Sequence, residues 1–236
     1  GSRSTYIKAH LGGYEGRKLQ RGDEIAFRKP FIEVKNLSRR VIKAPAFTGD
    51  CTVRVLMGPQ EERFTDEGIK TFLSEGYTVT NEFDRMGYRL TGPKITHVTD
   101  GNIITDGIAF GAIQVPDSGQ PIIMLSDRQT VGGYTKIGTI INVDMPMIAQ
   151  CKAGDKVHFK TINIYEAQEL FVKQKNYYKA LRDSFDNYVG KLGSIPESPL
   201  IHNNQGIAAQ SSAPQAAPVS HQAAPAAASA GTQAQP

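Results

Sequence analysis

The stretch from Leu125 to Ile140 concentrates residues able to do chemistry. Asp127, Arg128 and Gln129 stand close ahead of a Gly132-Gly133 pair, and Tyr134 and Lys136 follow. Burying a carboxylate, a guanidinium, an amide and an ammonium costs free energy unless each finds a partner. Glycines remove Cβ atoms where a backbone must turn or approach something closely. One reading is a solvated hairpin loop. The other is a polar pocket on a β scaffold, with Arg128 and Lys136 facing an anionic or carbonyl group. A carbonyl undergoing attack needs oxyanion donors and a base near the acceptor. Gln129 and the Gly132 and Gly133 amides could donate, and Asp127 or Asp106 could orient the acceptor. Arg85, Gln114, Gln120 and Tyr134 are candidates for substrate contact. Each has a duller alternative. Asp84-Arg85 and Asp127-Arg128 could be ion pairs tying hairpins together, Gln114 and Gln120 could fix loop geometry, and Tyr134 could be a packed ring.

The elements that must position these groups are short strands. Ile122 to Leu125 and Ile137 to Val143 read as buried strands on either side of the polar stretch. Thr52 to Met57, ended by Gly58-Pro59, is another, and Gly76 to Leu90 alternates enough for two strands around Asn81 to Arg85. Lys156 to Ile164 closes the series, with His158 as an ordinary sheet residue. Turn residues recur about every eight to twelve positions and helices between strands are missing, which argues a closed barrel or sandwich rather than a parallel α/β sheet. Two helices are expected. Thr65, followed by Asp66 and Glu67, caps a short one whose apolar face is Ile69, Phe72 and Leu73, with Phe64 stapled to Ile69. Asn163 and Glu166 form a capping box for a longer amphipathic helix from Tyr165 to Val189, packed on the barrel or on a partner. Ahead of the barrel, Arg17 to Leu19 and Glu24 to Phe27 look like two strands joined at Gly22-Asp23, and Pro30 to Asp50 reads as a connector. Behind it, Ala208 to Pro236 is Ala, Pro, Gln and Ser, the composition of an unfolded tether.

Totals narrow the function classes. The chain has 236 residues, 39% of them hydrophobic, and a formal charge of +4 spread without a basic arm, which argues against nucleic acid. Nothing approaches the run of about 18 apolar residues that spans a bilayer, and no signal peptide opens the chain. Cys51 and Cys151 read as buried thiols, and neither they nor the five histidines have metal-ligand spacing. A cytoplasmic protein without a metal is the expectation.

Several blocks in one order resemble a known family. They are GSRSTY (Gly1 to Tyr6), GGYEGRKLQRGD (Gly12 to Asp23), RVLMGPQ with a later FT (Arg54 to Thr65) and YTV…DRMGYRLTGP (Tyr77 to Pro93). TDGIAFGAIQVP (Thr105 to Pro116), GQPIIMLSDRQTVGGYTKIGTI (Gly119 to Ile140) and GDKVHF (Gly154 to Phe159) continue the series. Together they resemble the biotin-dependent carboxyltransferase family, which takes in allophanate hydrolase subunit 2 and the C subunit of 5-oxoprolinase. That family includes the carboxyltransferase region of urea carboxylase.

The resemblance implies a cyclophilin-like β-barrel over residues 51–164 in a mainly β fold; the C-terminal helix over 165–192 and the disordered linker over 193–236 rest on spacing and composition, and the tail departs from the shorter members of the family. Residues 1–50 would be the remnant of a preceding β domain with its connector, and the chain a fragment. It implies a subunit-1-type partner protein, a small amide or lactam substrate such as 5-oxoproline or urea, and one of two cofactors. These are ATP acting through the complex, or carboxybiotin on a biotinyl carrier domain. Asp106, Asp127, Arg128, Gln129 and Lys136 would then be catalytic, and Arg85, Gln114, Gln120, Gly132, Gly133 and Tyr134 would bind substrate. A regulatory alternative also follows, because relatives of the family include an antagonist of a histidine-kinase inhibitor.

Overall fold

The computed structural model describes residues 3–26 and 49–186, which fall in two separate units divided after residue 44. The linker expected after residue 192 and the connector from Pro30 lie outside the described residues.

In the first unit, a 3-10 turn over Ile7–Ala9 is closed by a bridge between Tyr6 and Leu11. The expected strand pair on either side of Gly22-Asp23 does not form among the described residues. Instead Arg17 grips both carboxylate oxygens of Asp23 at 2.8 and 2.9 Å, and Asp23 also accepts the amide of Gln20. A local ion pair closes this turn in place of a ladder, and the guanidinium pulls the Asp23 carboxyl down to about 2.

The second unit is built on a barrel. Its strands are β1 (Asp50–Met57), β2 (Gly76–Phe83), β3 (Gly87–Thr91), β4 (Asn102–Gly107), β5 (Ala112–Val115), β6 (Ile122–Met124), β7 (Val131–Ile140) and β8 (Lys156–Thr161). Seven of them run in the order β1-β8-β2-β3-β6-β5-β7, and β7 pairs back onto β1 to close the ring. Among these pairs β1 and β8 alone run parallel, with Cys51 opposite Val157 and Val53 opposite Phe159. The strand β7 is long enough to serve three neighbours: Val131 to Tyr134 pair with β4, Thr135 to Thr139 with β5, and Gly138 to Ile140 with β1.

Alternation decides what fills the barrel. Val53, Val55, Tyr77, Val79, Leu90, Ile113, Val115, Ile123, Ile137, Val157 and Phe159 form one core. The helix α1 (Asp66–Ser74) joins it through Phe72, stacked on Phe159 at 4.4 Å. Its cap is the expected one, with Thr65 Oγ1 accepting from the Gly68 amide at 3.0 Å. Ala112 of β5 and Met124 of β6 make a smaller cluster with Ile108, which follows β4.

A one-turn helix absent from the sequence reading, α2 (Met145–Ile148), plugs the core with Met145, Met147 and Ile148. Asp144, fully buried, precedes it and takes the Arg54 amide and guanidinium. The last helix, α3 (Ile164–Asp186), begins with the expected box: Glu166 N donates to Asn163 Oδ1 at 2.9 Å. Its first turns pack, with Ala167 buried against Ile141 and Val143, whereas Phe171, Val172 and Tyr178 are exposed.

Candidate functional site

Of the two readings of the polar stretch, the solvated hairpin loop does not form, because β6 and β7 are not paired with each other. The link between β6 and β7 is only residues 125–130, and the glycine pair lies inside β7. Neither glycine has positive φ, so neither makes a turn. Gly132 is bare for another reason: a Cβ there would stand 2.7 Å from Ile108 Cδ1 and 3.1 Å from Gln114 Nε2. It is the close approach, not the bend, that requires glycine.

The candidate residues divide into two groups. The first sits where β7 meets β4 and β5. Lys136 is 3% exposed, and its Nζ donates to Asp106 Oδ2 at 2.8 Å. Asp106, on β4, is half exposed and also accepts from Gln60 Nε2 at 3.2 Å and from the Gly107 amide at 2.7 Å. The ammonium first, then these donors, hold its carboxyl below the usual carboxylate range. Gln114 stands opposite Lys136 in the β5–β7 register, 1% exposed, and its Nε2 has no hydrogen-bond partner. Gly132, opposite Asp106, completes this group.

Gln60 was missed by the sequence reading. Its side chain both accepts the Lys136 amide at 3.1 Å and donates to Asp106. The sequence signal was the RVLMGPQ block, which ends on this residue, but only the closure of β1 on β7 brings it to Lys136. The neighbouring Thr135 is held by its hydroxyl on the Val115 carbonyl at 3.0 Å, beside His97 Nε2 at 3.1 Å. Burial lowers the His97 pKa.

The second group lies at the β6–β7 link. Arg85 pairs with both oxygens of Asp127, at 2.7 and 3.0 Å, and the Asp127 amide donates to the Arg85 carbonyl at 2.8 Å. These contacts tie the β2–β3 hairpin to the link, the structural role that the sequence left open beside a site role. Both side chains are largely exposed. Arg128 donates to the Ile108 carbonyl at 2.9 Å and the Leu125 carbonyl at 3.3 Å, with its guanidinium over Phe110. Arg128 and Lys136 therefore take different partners: the first is spent on backbone carbonyls, the second on a carboxylate. A cleft of about 410 Å³ opens here, walled by Phe83, Tyr88, Phe110, Leu125, Met145 and Ala149, with Asp84, Arg85 and Ser126 supplying its polar atoms.

The remaining candidates are placed singly. Gln120 closes a ring with Gly92, accepting its amide at 2.8 Å and donating to its carbonyl at 3.1 Å, so its amide fixes a loop. Gln129 and Tyr134 are exposed, and a Cβ on Gly133 would meet only the Ile103 carbonyl, at 3.3 Å. Among the described residues no cluster of His, Cys, Asp and Glu could hold a metal ion, and no helix is long and apolar enough to cross a membrane. Cys51 and Cys151 are free, buried, and 3.6 Å apart sulfur to sulfur.

A seven-stranded barrel that sets a buried lysine on β7 against a carboxylate on β4 is what this chain presents, and residues 1–161 match the family described as carboxyltransferase domain, subdomain A and B. The chain belongs to that family. Among curated proteins it is 34% identical to the C subunit of 5-oxoprolinase from Escherichia coli over 181 residues, 77% of this chain and 57% of that protein. The same identity is found with the C subunit of 5-oxoprolinase from Haemophilus influenzae, over 78% of this chain and 58% of that protein. A putative urea carboxylase of Emericella nidulans is 30% identical over 70% of this chain and 14% of its own. Among solved structures, the Kluyveromyces lactis urea carboxylase matches with a TM-score of 0.63 at 25% identity, over 83% of this chain and 18% of that one. The chain thus spans under three fifths of the length of the two bacterial relatives.

Proposed function

We propose that this chain is part of an enzyme acting on the carbonyl of a small amide or lactam, 5-oxoproline first, and that it works together with a subunit-1-type partner. The observation that carries this reading is the Lys136 ammonium, withdrawn from water yet facing a half-exposed carboxylate. Burying a cation is costly unless it is paired, and a carboxylate whose pKa is displaced by a charged partner is a candidate functional group. The 34% identity to two 5-oxoprolinase C subunits favours the lactam over urea.

Within this reading Lys136 holds the substrate carboxylate or the developing oxyanion, and Asp106 orients the attacking or accepting group. Gln60 positions both. Arg128 acts at a distance by holding the β6–β7 link closed on Ile108, and Arg85 with Asp127 braces it from the hairpin side. Tyr134 and Gln129, exposed on the surface, are placed to meet substrate or partner.

ATP would supply the phosphoryl group that activates a lactam carbonyl. In this reading the nucleotide acts through the complex with the partner protein. Carboxybiotin, the alternative, would bring a carboxylate and a ureido carbonyl, both acceptors for a lysine and an amide. The likeness to urea carboxylase over 83% of the chain keeps this second chemistry in view.

The test is turnover by the complete subunit pair. ATP-dependent opening of 5-oxoproline is expected, and Lys136→Ala should reduce it at least ~100-fold with the fold retained, the scale of losing a charged transition-state contact. Carboxyl transfer from carboxybiotin in its place would assign the second chemistry. A pair inert in both assays that binds a histidine-kinase inhibitor tightly would make the chain a regulatory module.

A further inference from the structure

We infer that the side-chain amide of Gln114 and the ammonium of Lys136 form an oxygen-binding subsite, taking the carboxylate or carbonyl oxygen of a small ligand. The substrate class rests on the function proposed above; the subsite itself rests on geometry.

Gln114 is an expensive residue to place here. Ile108, Ala112 and Met124 make an apolar cluster beside it. Its side chain is 1% exposed, yet Nε2 donates to nothing. A buried amide donor without a partner costs free energy that an apolar side chain of the same length would avoid. Buried polar atoms are otherwise almost always satisfied, so an orphan points to an acceptor that the polypeptide does not supply.

The surroundings state what that acceptor must be. Across the ladder from Gln114 is Lys136, whose Nζ is the second donor. Two donors, one of them charged, select an oxygen bearing full or partial negative charge and reject cations and hydrogen-bond donors. The carboxylate partner of Lys136, Asp106, is already shared among Lys136, Gln60 and the Gly107 amide. It is half exposed, so an incoming carboxylate can compete with it for the ammonium. Gly132 leaves room for the amide itself: a Cβ there would stand 3.1 Å from Gln114 Nε2 and 2.7 Å from Ile108 Cδ1. The proposed donors to an oxyanion are thus a glutamine amide and a lysine, beside the Gln129, Gly132 and Gly133 donors suggested by sequence.

The experiment follows the Gln114 side-chain NH2 resonances of the ¹⁵N-labelled chain, assigned by their loss in Gln114→Leu. Acetate is the minimal carboxylate probe and 5-oxoproline the substrate probe. Saturable shifts with both, abolished in Lys136→Met, are expected. In the complete subunit pair, Gln114→Leu should raise the KM for 5-oxoproline about tenfold or more, the scale of one lost charged-acceptor hydrogen bond, and leave the unfolding midpoint equal or higher. Gly132→Ala, whose added methyl crowds Nε2, should raise KM in the same direction. Shifts with acetate alone, and no turnover of 5-oxoproline by the pair, support the subsite and overturn the substrate assignment. Resonances that stay in place with both probes, or an unchanged KM in Gln114→Leu, overturn the subsite and leave only a buried water as the partner.

Discussion

Lys136 and Asp106 meet across β7 and β4 with very unequal exposure: the ammonium is 3% exposed and the carboxylate, 2.8 Å away, is half in solvent. Removing either partner therefore has different consequences. Asp106→Asn strands a charge inside the protein and should lower the urea midpoint clearly. Lys136→Met leaves only a solvated carboxylate and should stay within about 1 kcal/mol of the parent, because apolar replacement of buried ions is often neutral or better. Equal losses in the two variants would contradict this account.

The same pair gives a pH dependence. The Asp106 carboxyl is held below its ordinary range by Lys136 first, then by Gly107 and Gln60. A depressed carboxylate stabilises fully above its unfolded-state pKa of about 3.9, and that stabilisation disappears as pH falls through the lower folded-state value. Stability measured between neutral and strongly acidic pH should therefore fall less in Asp106→Asn than in the parent.

Asp144 is fully buried and carries Arg54 by two guanidinium contacts and one amide contact. Asp144→Ala would leave that guanidinium poorly satisfied, with an expected loss of about 3–5 kcal/mol. Denaturant unfolding measures it directly. A loss below about 1 kcal/mol, the worth of an exposed pair, would show that water replaces the carboxylate there.

Barrel closure offers a steric test. Gly138 lies on the seam between β7 and β1, and a Cβ on it would overlap Val55 Cγ1 and stand 2.9 Å from the Leu56 carbonyl. Its φ is ordinary, so the strain of Gly138→Ala is packing alone. A loss of about 1–3 kcal/mol is expected in thermal or urea unfolding.

Cys51 and Cys151 are buried with their sulfurs in contact, and the Cys151 sulfur together with burial pushes the Cys51 thiol up. Thiols shielded in this way are inert. The folded chain should resist iodoacetamide at both positions and take up a label on each when unfolded, as read by mass spectrometry. Rapid labelling of the native chain would place at least one sulfur at the surface.

The features legible along the chain were local ones. The Thr65 cap, the Asn163–Glu166 box, the β1 run and the β2–β3 pair depend on neighbours a few residues apart, so spacing revealed them. The ordered family blocks likewise announced a mainly β barrel and the residues worth watching. Which of those residues meet was settled by the tertiary structure. Gln60 reaches Lys136 only because β1 closes on β7, and Asp106 reaches it only because β4 pairs with the first half of that strand. The glycine pair, legible as a bend, became a stretch of ladder once a long-range pairing partner was present. Arg17 and Asp23 show the converse, where a local ion pair prevailed over an expected ladder. Side-chain convergence arises from contacts between distant residues, and a linear pattern carries the identities of those residues but not the closure that brings them into hydrogen-bonding distance.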